Sequence, residues 1–485
     1  MAHQNNYEIC WKNFRGFRDT GWIELRPLTV LLGANNSGKS SFTAPLLLMK
    51  QTLQSHDIIS ALVTRGPLID AGNYKDLVFE HDPRHELFFG LRFHVRDKDR
   101  KLKPVSEYPP GAIGLTFERP EQHSQAPRLK RYELFDIFMR PYVRFNRSSP
   151  GSFRLSGFFT KGMTKPEVNE IRKARPLNFL FSSTNIMSNY MAELRKKRPD
   201  AAKTISPFSG RFSEFLTVIS YTLSEVRSVL LNRLSYIGPL RERPKRYYEV
   251  LGELPESIGS RGENAPHLLR SRKDIRTEVN KRIRRFELGK NFKLEEHFKD
   301  VFSVIICGGI RKVDCNLADI GFGASQVFPL IVQAVTSERS SLTIAEQPEI
   351  HLNPRLQCVL ADLFVSMAKN RRHVIIETHS EHLVLRLRRL IAEGQIDTKD
   401  VGIYFVEKRD NESIIRNIAV DSLGHIEKQD WPKGFFADSL HESFGLAEAQ
   451  LHAKAKSGKS FRIRPRVSSA YAARGNLTRN WSNSP

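Results

Sequence analysis

The sequence predicts an α/β protein with a mixed central sheet flanked by helices and an inserted α+β subdomain. Three observations carry this prediction. Apolar runs of strand length near both ends of the chain are followed by glycine-rich loops and apolar helix patterns. From about residue 96 to residue 233 that alternation stops, and polar and basic stretches with prolines replace it. With 485 residues, 40% of them apolar, the chain is long enough to bury a large core.

The N-terminal region, residues 1–95, begins with two predicted strands. Tyr7–Phe14 and Trp22–Leu25 alternate apolar and polar side chains, and a turn-rich segment joins them. A third apolar run ends at Gly33, and the pattern Gly-x-x-x-x-Gly-Lys-Ser follows before an apolar helix pattern starts at Phe42. Strand, glycine-rich loop and helix therefore follow one another in the order that a phosphate-binding loop requires.

This glycine-rich loop predicts a nucleotide-binding site of the P-loop NTPase type. Small residues let consecutive backbone N–H groups surround a phosphate at the N-terminus of a helix. Lys39 is expected to reach the terminal phosphates, and the Ser40 hydroxyl is expected to ligate Mg²⁺. The predicted nucleotide-binding residues are Gly33, Ala34, Asn35, Asn36, Ser37, Gly38, Lys39, Ser40 and Ser41.

The middle of the chain, residues 96–233, is predicted to be an inserted basic subdomain. Arginines alternate with aromatic residues at 128–132 and at 142–147, and residues 195–199 are mostly basic. Such segments suit a nucleic-acid backbone with stacked bases, but alternation is equally typical of a half-buried strand with a solvated face. Both interpretations stay open at this stage. The helical spacing of apolar residues from Phe212 to Leu234 predicts a packed helix.

Three further motifs lie in the C-terminal region, residues 234–448. Asp319–Gln326 is a second glycine-rich loop that leads into an apolar helix, so the helix N-terminus can contact an anion. Glu346 ends an apolar strand, where a P-loop protein needs an oxygen ligand for Mg²⁺ or its water. His379 follows another buried strand, at the edge where ligands bind in open α/β sheets. The order of the motifs along the chain is the strongest evidence that they form one site.

Arginines in the loops that follow the middle region are weaker candidates for the same site. The segments around 235–248 and 259–266 are rich in Gly, Pro and Arg and are predicted to be loops near the nucleotide or a partner. Arg241, Arg243 and Arg261 could contact phosphates there, although surface arginines are common.

The overall charge is strongly basic. Lys and Arg outnumber Asp and Glu by 76 to 53, which gives a formal charge of +23. This charge suits nucleic acid or an anionic partner surface, or else it is scattered solvated charge. No acidic residue follows Glu448, so residues 449–485 are predicted to be a disordered basic tail.

The cysteines and the apolar runs predict where in the cell the protein is found. Cys10, Cys307, Cys315 and Cys358 show no Cys-x-x-Cys spacing, which favours free thiols in a reducing cytosol. The apolar runs are far too short to span a bilayer. We therefore expect a cytoplasmic protein without membrane contact.

With these motifs in this order, the chain resembles ABC-type ATPases of the SMC, RecF and overcoming-lysogenisation-defect group, which are counted among AAA-family ATPases. The resemblance covers about residues 7–95 and 234–436 and leaves the middle unassigned. It implies that the loop from Gly33 to Ser41 is the Walker A loop, that Glu346 is the Walker B acid and a metal ligand, and that His379 is the switch histidine. It also implies a signature motif with Ser325 as the signature serine; its residues are Gly323, Ser325 and Gln326.

The resemblance also implies how such a protein works. In this family two heads enclose two nucleotides, and the signature serine of one subunit faces the γ-phosphate held by the other. ATP and Mg²⁺ are therefore the implied cofactors, and a homodimer or higher oligomer held by ATP is the implied assembly. Hydrolysis then reopens the dimer. Because a nucleotide that favours the closed state shifts the population toward it, such a dimer acts as a switch.

One position departs from the family pattern. Where the family usually has Asp-Glu at the end of the Walker B strand, this chain has Glu346-Gln347. A glutamine amide can orient water but is no general base. The expected catalytic residues are Glu346, Gln347, Glu349 and His379, with Glu349 or His379 supplying part of the missing role. We expect slow hydrolysis.

A nuclease domain is not expected at the C-terminal end of the ATPase region. Some relatives carry a Toprim domain, whose first strand ends in Glu, and Gly402–Glu407 imitates that start. No Asp-x-Asp pair for Mg²⁺ follows it in the sequence. We therefore predict a closing strand of the ATPase sheet here and any nuclease activity on a separate protein.

Three functions remain as hypotheses. The first is an ATP-gated switch that regulates a separate effector, as similar ATPases do in bacterial anti-phage systems. The second is a DNA-binding ATPase in repair or recombination, close to RecF and SMC proteins. The third is a stand-alone P-loop kinase or nuclease, which fits less well because a kinase has no use for a signature serine in a second subunit.

Overall fold

The computed structural model describes residues 7–93, 111–121, 126–136, 138–149, 152–197, 209–308 and 313–427. The first sheet within these residues carries the glycine-rich loop. It has six strands: β4 (Leu28–Gly33), β10 (Leu234–Ile237), β15 (Leu342–Glu346), β16 (His373–Glu377), β17 (Val401–Arg409) and β18 (Glu412–Ile418). Their order is β10-β15-β16-β4-β17-β18, and all neighbours are parallel except β17 and β18.

Burial explains why this sheet is parallel at its centre. Every residue of β4, β15 and β16 is buried, in short runs of Leu, Ile, Val and Thr. Strands that read as continuous apolar runs are typical of parallel sheets covered on both faces. The C-terminal ends of these strands therefore meet at one edge, which is the edge where the predicted site residues lie.

A second, antiparallel sheet is built from the N-terminal half of the chain. Its strands among the described residues are β1 (Tyr7–Phe14), β2 (Phe17–Asp19), β3 (Ile23–Leu25), β5 (Leu87–Phe93), β6 (Ala112–Glu118), β7 (Arg128–Phe135), β8 (Pro141–Ser149) and β9 (Ser152–Gly157). The order is β2-β1-β5-β6-β7-β8-β9, with β3 paired to β1. A third sheet is formed by β11 (Tyr248–Glu249), β12 (Asn291–Phe298), β13 (Val301–Cys307) and β14 (Cys315–Asn316).

Helices cover the sheets and begin at recognisable capping residues. Asn353 and Ser380 accept hydrogen bonds from backbone N–H groups of the first turns that follow them, as expected of N-caps. The described helices are α1 (Lys39–Gln54), α2 (Tyr74–Leu77), α3 (Lys165–Lys173), α4 (Ser183–Lys197), α5 (Gly210–Arg227), α6 (Ala265–Ser271), α7 (Arg276–Arg285), α8 (Phe322–Thr336), α9 (Pro354–Lys369) and α10 (Glu381–Ala392).

The predicted fold class, an α/β protein with a mixed sheet flanked by helices, is confirmed. The packed helix predicted up to Leu234 is α5, followed by one π-helical segment, Ser228–Arg233, that leads into β10. The predicted closing strand at Gly402–Glu407 is part of β17, which pairs with β4. None of the described helices is both long and apolar enough to cross a membrane. The predicted tail, residues 449–485, lies outside the described residues.

The middle region continues the N-terminal sheet. β5 pairs with β6 in register from Leu87 to Arg92, so the predicted boundary between residues 95 and 96 falls between two neighbouring strands of one sheet. The alternating segments around residues 128–132 and 142–147 form β7 and β8. Tyr132 and Phe145 are buried there, so these rings are not available to stack on bases. The strand interpretation is the one that the structure supports.

An aromatic cluster ties these strands to the helices that cover them. Phe181, fully buried between α3 and α4, stacks on Phe145 with 4.0 Å between ring centroids and meets Tyr132 edge-on. These rings belong to the same continuous apolar core as Leu31 of β4. The middle region and the nucleotide-binding sheet are therefore packed as one body.

We predict that Phe181→Ala destabilises the whole described body. Removing a buried phenylalanine costs about 3–5 kcal/mol, and calorimetry should show one lower unfolding transition in which the nucleotide site is lost together with the middle region. Phe158→Ala is the control, because this ring is 40% exposed. Two transitions, with only one lowered by Phe181→Ala, would mean that residues 96–233 fold as a separate subdomain after all.

Candidate nucleotide-binding site

The glycine-rich loop lies between β4 and α1, and two of its glycines are required by geometry. Gly33 has φ +152°, and a side chain there would collide with the backbone oxygen of Val406 in β17. Gly38 has φ +110°, and a Cβ atom there would lie 2.7 Å from the Ser413 hydroxyl in β18. These backbone conformations favour glycine. The loop is therefore held closely against β17 and β18.

Lys39 begins α1 and turns back into the loop. Its Nζ donates hydrogen bonds to the carbonyl oxygens of Gly33 at 3.0 Å and Ala34 at 2.8 Å, and the side chain is almost fully buried. Burial lowers the pKa of Lys39, while the nearby carboxylates of Glu377 and Glu349 oppose that shift. The Ser37 hydroxyl is also buried and has no hydrogen-bond partner. The loop thus holds one cation and one unpaired hydroxyl where a phosphate would need them.

Two carboxylates stand side by side at the sheet edge. Glu346 ends β15, Glu377 ends β16, and the two are direct partners in the parallel register. The Ser40 hydroxyl donates to the Glu377 carboxylate, 3.0 Å and 2.9 Å from its two oxygens. The predicted Mg²⁺ ligand Ser40 is therefore hydrogen-bonded to Glu377, which is not among the predicted site residues. The missed signal was the same as for Glu346, a carboxylate that ends a buried apolar strand.

Burial and mutual repulsion control the protonation of these acids. Burial, and after it the charge of Glu377, raise the pKa of Glu346 to about 7. Burial also raises the pKa values of Glu377 and Glu349. Two adjacent buried carboxylates resist ionising together, so a bound cation would be needed to hold both in the charged form.

The loop after β15 connects the two carboxylate strands. Gln347 has φ +42°, and its backbone N–H donates to the carbonyl oxygen of Glu377 at 2.7 Å. Glu349 accepts a hydrogen bond at 2.7 Å from the backbone N–H of His379. The pKa of His379 is lowered by its burial and by the charge of Lys39, so the imidazole is neutral near pH 7. The predicted residues Gln347, Glu349 and His379 are therefore brought together with Glu346 at one edge.

Arg241 is a further buried residue at the same edge, just beyond the end of β10. Its Nη2 donates to the carbonyl oxygens of Glu346 at 3.0 Å and Gln347 at 3.4 Å, while Nε and Nη1 are buried without a partner. Burial lowers its pKa to about 10, opposed by the charge of Glu349, so Arg241 stays charged at neutral pH. This arginine was only a weak candidate in the sequence, because its burial could not be predicted.

The second glycine-rich loop leads into α8, at some distance in sequence from the Walker A loop. Gly323 lies in the first turn of α8 and not in the predicted loop; a side chain there would collide with the carbonyl oxygen of His351, so this turn packs against the segment that follows Glu349. Ser325 is 3% exposed, and its hydroxyl donates to the carbonyl oxygen of Phe322 at 2.7 Å. Gln326 is also buried. The accessible residues at the start of α8 are Gly321, which has open space around it, and Phe322, which is 41% exposed.

The donor set fits Mg²⁺ only as a shared site with a nucleotide. Among the described residues no group of three or more His, Cys, Asp or Glu side chains is placed to hold a metal ion. Ser40, with Glu377 and Glu346 behind it, offers the hard oxygen ligands that Mg²⁺ prefers. Phosphate oxygens and water would have to complete the coordination, as is usual for Mg²⁺ bound with ATP.

The comparison with protein families identifies the chain. The AAA ATPase domain family (AAA_15) matches residues 8–109 and 168–384, which is well over half of the chain. The chain belongs to this family. This AAA ATPase also matches, over residues 396–445, a family described as a protein of unknown function (DUF3696). No curated protein matches the sequence.

Several SMC head domains are among the solved structures similar to this AAA ATPase. The head bound to the C-winged helix domain of ScpA is 13% identical with a TM-score of 0.37, over 85% of this chain and 97% of that one. The SMC head from Thermotoga maritima is 12% identical with a TM-score of 0.35, over 87% of this chain and 100% of that one. The head with a coiled coil and joint from Pyrococcus yayanosii is 13% identical with a TM-score of 0.39, over 85% and 96% of the two chains.

The prediction of an ABC-type AAA ATPase is confirmed by the family, and ATP binding and hydrolysis are the activity of that family. The matched residues 8–109 and 168–384 include the Walker A loop, Glu346 and His379. The roles of the individual site residues stay predictions.

We predict that the Glu346 carboxyl makes the unfolding free energy depend on pH. Its folded pKa, about 7, lies above the ordinary 4.5, so the folded protein binds an extra proton between these values and loses stability as the pH rises through them. The loss is on the order of 3 kcal/mol at most. Denaturant unfolding in EDTA at several pH values should show a flatter profile for Glu346→Gln, because the amide does not titrate. Parallel profiles for the two proteins would contradict the raised pKa.

Proposed function

We propose that this AAA ATPase is a dimeric, ATP-gated switch that hydrolyses ATP slowly and regulates a separate effector protein in bacterial anti-phage defence. The observation that carries the proposal is Gln347, at the position where ATPases of this type usually have a catalytic glutamate. The amide can donate to or accept from a water molecule but cannot take its proton. A switch that should stay closed for a long time benefits from such a residue.

The contacts of Gln347 support a positioning role for the loop. Its backbone N–H is fixed to Glu377, and its carbonyl oxygen lies 3.4 Å from Nη2 of Arg241. An acid of the same edge that could act as a base is Glu349, whose second carboxylate oxygen is buried without a partner. Because burial raises the pKa of Glu349, it is better suited to accept a proton than an ordinary surface glutamate. We infer that Glu349 supports slow turnover and that Gln347 orients the water.

The contacts of Lys39 and Ser40 support the coupling of ATP binding to a change in structure. A phosphate in the Walker A loop would compete with Gly33 and Ala34 for the Lys39 ammonium. A Mg²⁺ ion on Ser40 would likewise compete with the Ser40–Glu377 hydrogen bond. Mg²⁺ would supply charge stabilisation for the developing phosphate oxygens. ATP therefore binds by replacing contacts between β4, α1 and β16, which is what a ligand-controlled switch requires.

The start of α8 supports the dimer. Its first N–H groups have no partner within the helix, and they form an electropositive end. Gly321 has open space around it, so a second subunit's phosphate can approach this end without displacing a side chain. Since Ser325 donates to its own helix, we propose that the backbone of this turn makes the contact across the dimer and that Ser325 holds the turn in shape.

A separate effector and a cytoplasmic location complete the proposal. Gly402–Glu407, the segment that imitates a nuclease domain, lies in β17 and pairs on both sides with strands of the ATPase sheet. This favours a nuclease, if the system has one, on another chain. The four cysteines are free thiols, which suits a reducing cytosol.

A DNA-binding ATPase of the RecF and SMC type is the second candidate. The formal charge of +23 favours it, because such a charge attracts nucleic acid. ATP-dependent binding of duplex DNA that weakens steeply with salt would support this candidate. The buried rings of β7 and β8 do not contribute to it.

We predict that Gln347→Glu accelerates ATP hydrolysis about 10²-fold, because a positioned general base contributes at least that much. Steady-state phosphate release measures the rate of hydrolysis. Mass measurements in the presence of ATP should show that the wild-type dimer persists longer than the dimer of the variant. Gln347→Ala is the control and should stay as slow as wild type or slower. Brisk wild-type turnover that DNA stimulates further would favour the DNA-binding ATPase instead.

We predict that Gly321→Asp prevents ATP-dependent dimerisation while leaving ATP binding intact. Aspartate is a good N-cap, so α8 should not be weakened, but its charge would repel a phosphate arriving from a second subunit. Gly321→Ser is the matched control, because serine caps the helix without charge. Light scattering with saturating ATP gives the mass, and a fluorescent ATP analogue gives the affinity. If Gly321→Asp dimerises like Gly321→Ser, the start of α8 does not face a second nucleotide.

A further inference from the structure

A second polar pocket lies between α7, α9 and α10, away from the nucleotide site. Its volume is about 410 Å³. Val365 and Leu390 form its apolar floor. Its polar lining consists of Arg285, Asp362, Ser366, Lys369, Asn370 and Gln395, and we call it the α7–α9–α10 pocket.

The pocket is separated from the nucleotide site by about the length of one helix. α9 and α10 begin just after the predicted catalytic loops, at Pro354 and Glu381. Lys369 is the last residue of α9, and Leu390 is close to the end of α10. At 1.5 Å per residue, the 16 residues of α9 span about 24 Å. A ligand in this pocket would therefore contact the far ends of the helices that carry the site.

The basic side chains that line the pocket, Arg285 and Lys369, outnumber its one acid, Asp362. Asp362 accepts from Nη2 of Arg285 at 2.7 Å and from Nε of Arg386 at 2.9 Å, so one carboxylate serves two guanidinium groups. Glu278 likewise forms ion pairs with Arg282 at 3.1 Å and with Lys281 at 3.2 Å. Each of these clusters keeps one net positive charge.

Two contacts place a basic group against a neutral one, and one of them involves Arg282, which also pairs with Glu278. Lys369 is exposed, and its Nζ lies 3.3 Å from the amide oxygen of Gln395. Nη2 of Arg282 donates to the Ser366 hydroxyl at 2.8 Å.

The donors of the pocket suit a phosphate group. Guanidinium groups bind phosphate oxygens with paired hydrogen bonds, and an ammonium adds a point charge. The hydroxyl of Ser366 and the amide of Gln395 supply neutral donors beside them, while the Asn370 amide already donates to the carbonyl oxygen of Ser366. A carboxylate ligand would use the same cations but would leave more of these donors without an acceptor.

We propose that the α7–α9–α10 pocket binds a phosphate group, carried by a small phosphorylated molecule or by a nucleic-acid backbone. The site is distinct from the Walker A loop and does not depend on the proposed switch. Because the pocket lies between the ends of α9 and α10, a phosphate there would hold the two helices together at their ends farthest from the catalytic loops.

The test uses the full chain with Lys39→Ala, so that phosphate groups do not occupy the Walker A loop. Calorimetric titration with inorganic pyrophosphate measures the first source, and fluorescence anisotropy of a labelled DNA duplex at two salt concentrations measures the second. Lys369→Glu should weaken binding at least about tenfold, because it places a carboxylate against the phosphate. Arg389→Glu is the matched control. It changes the net charge by the same amount as Lys369→Glu, and Arg389 is exposed on α10, where it pairs with Glu393.

The outcomes separate the two sources and the proposal itself. Loss of pyrophosphate binding in Lys369→Glu but not in Arg389→Glu assigns a small phosphorylated ligand. Loss of DNA affinity with the same selectivity, and a smaller salt dependence, assigns a nucleic-acid backbone. Equal affinities of the two variants for both probes, or no binding of either probe before the pocket is changed, would overturn the proposal. Lys369→Gln repeats the test with a neutral side chain in case Lys369→Glu lowers the melting temperature.

Discussion

The parallel register between β15 and β16 is the constraint on which the rest of the site depends. It sets Glu346 directly beside Glu377, and it lets the backbone N–H of Gln347 reach the Glu377 carbonyl oxygen. A shift of one residue would turn one of the two carboxylates to the other face of the sheet. The glycine-rich loop meets this pair through Ser40, so the candidate site lies where three strands end together.

Burying several charged groups in such a site destabilises the folded state, and contacts with the surrounding residues limit this loss of free energy. Three buried acids are opposed by two buried cations, Lys39 and Arg241, each of which also donates to backbone carbonyl oxygens. Buried charges of this kind are tolerated when they are paired and hydrogen-bonded. The atoms left without partners, on Ser37, Arg241 and Glu349, lie at the same edge. Polar atoms that a fold leaves unsatisfied are often those that a ligand satisfies.

The sequence alone predicted the parts of this molecule that depend on neighbouring residues in the chain. The Walker A loop is a contiguous pattern, and the buried strands ending at Glu346 and before His379 are short apolar runs. Glu377 was missed although it ends a buried apolar strand as Glu346 does, because its contact with Ser40, 337 residues away in the chain, leaves no signal in the sequence. The continuation of the N-terminal antiparallel sheet from β5 through β6 to β9 was not predictable either, because pairing between distant strands leaves no local signature. The inward direction of Ser325 depends on where α8 begins.

The shared sheet of the N-terminal and middle regions has a mechanical consequence. A partner that pulls on β9 loads the hydrogen-bond ladders of β8, β7, β6 and β5 one after another before the force reaches β1. β1 and β2 are joined by a turn whose Gly16 carbonyl oxygen accepts from the backbone N–H of Ser413, and Ser413 in turn lies against Gly38 of the Walker A loop. Force on the middle region therefore passes along paired strands toward the glycine-rich loop.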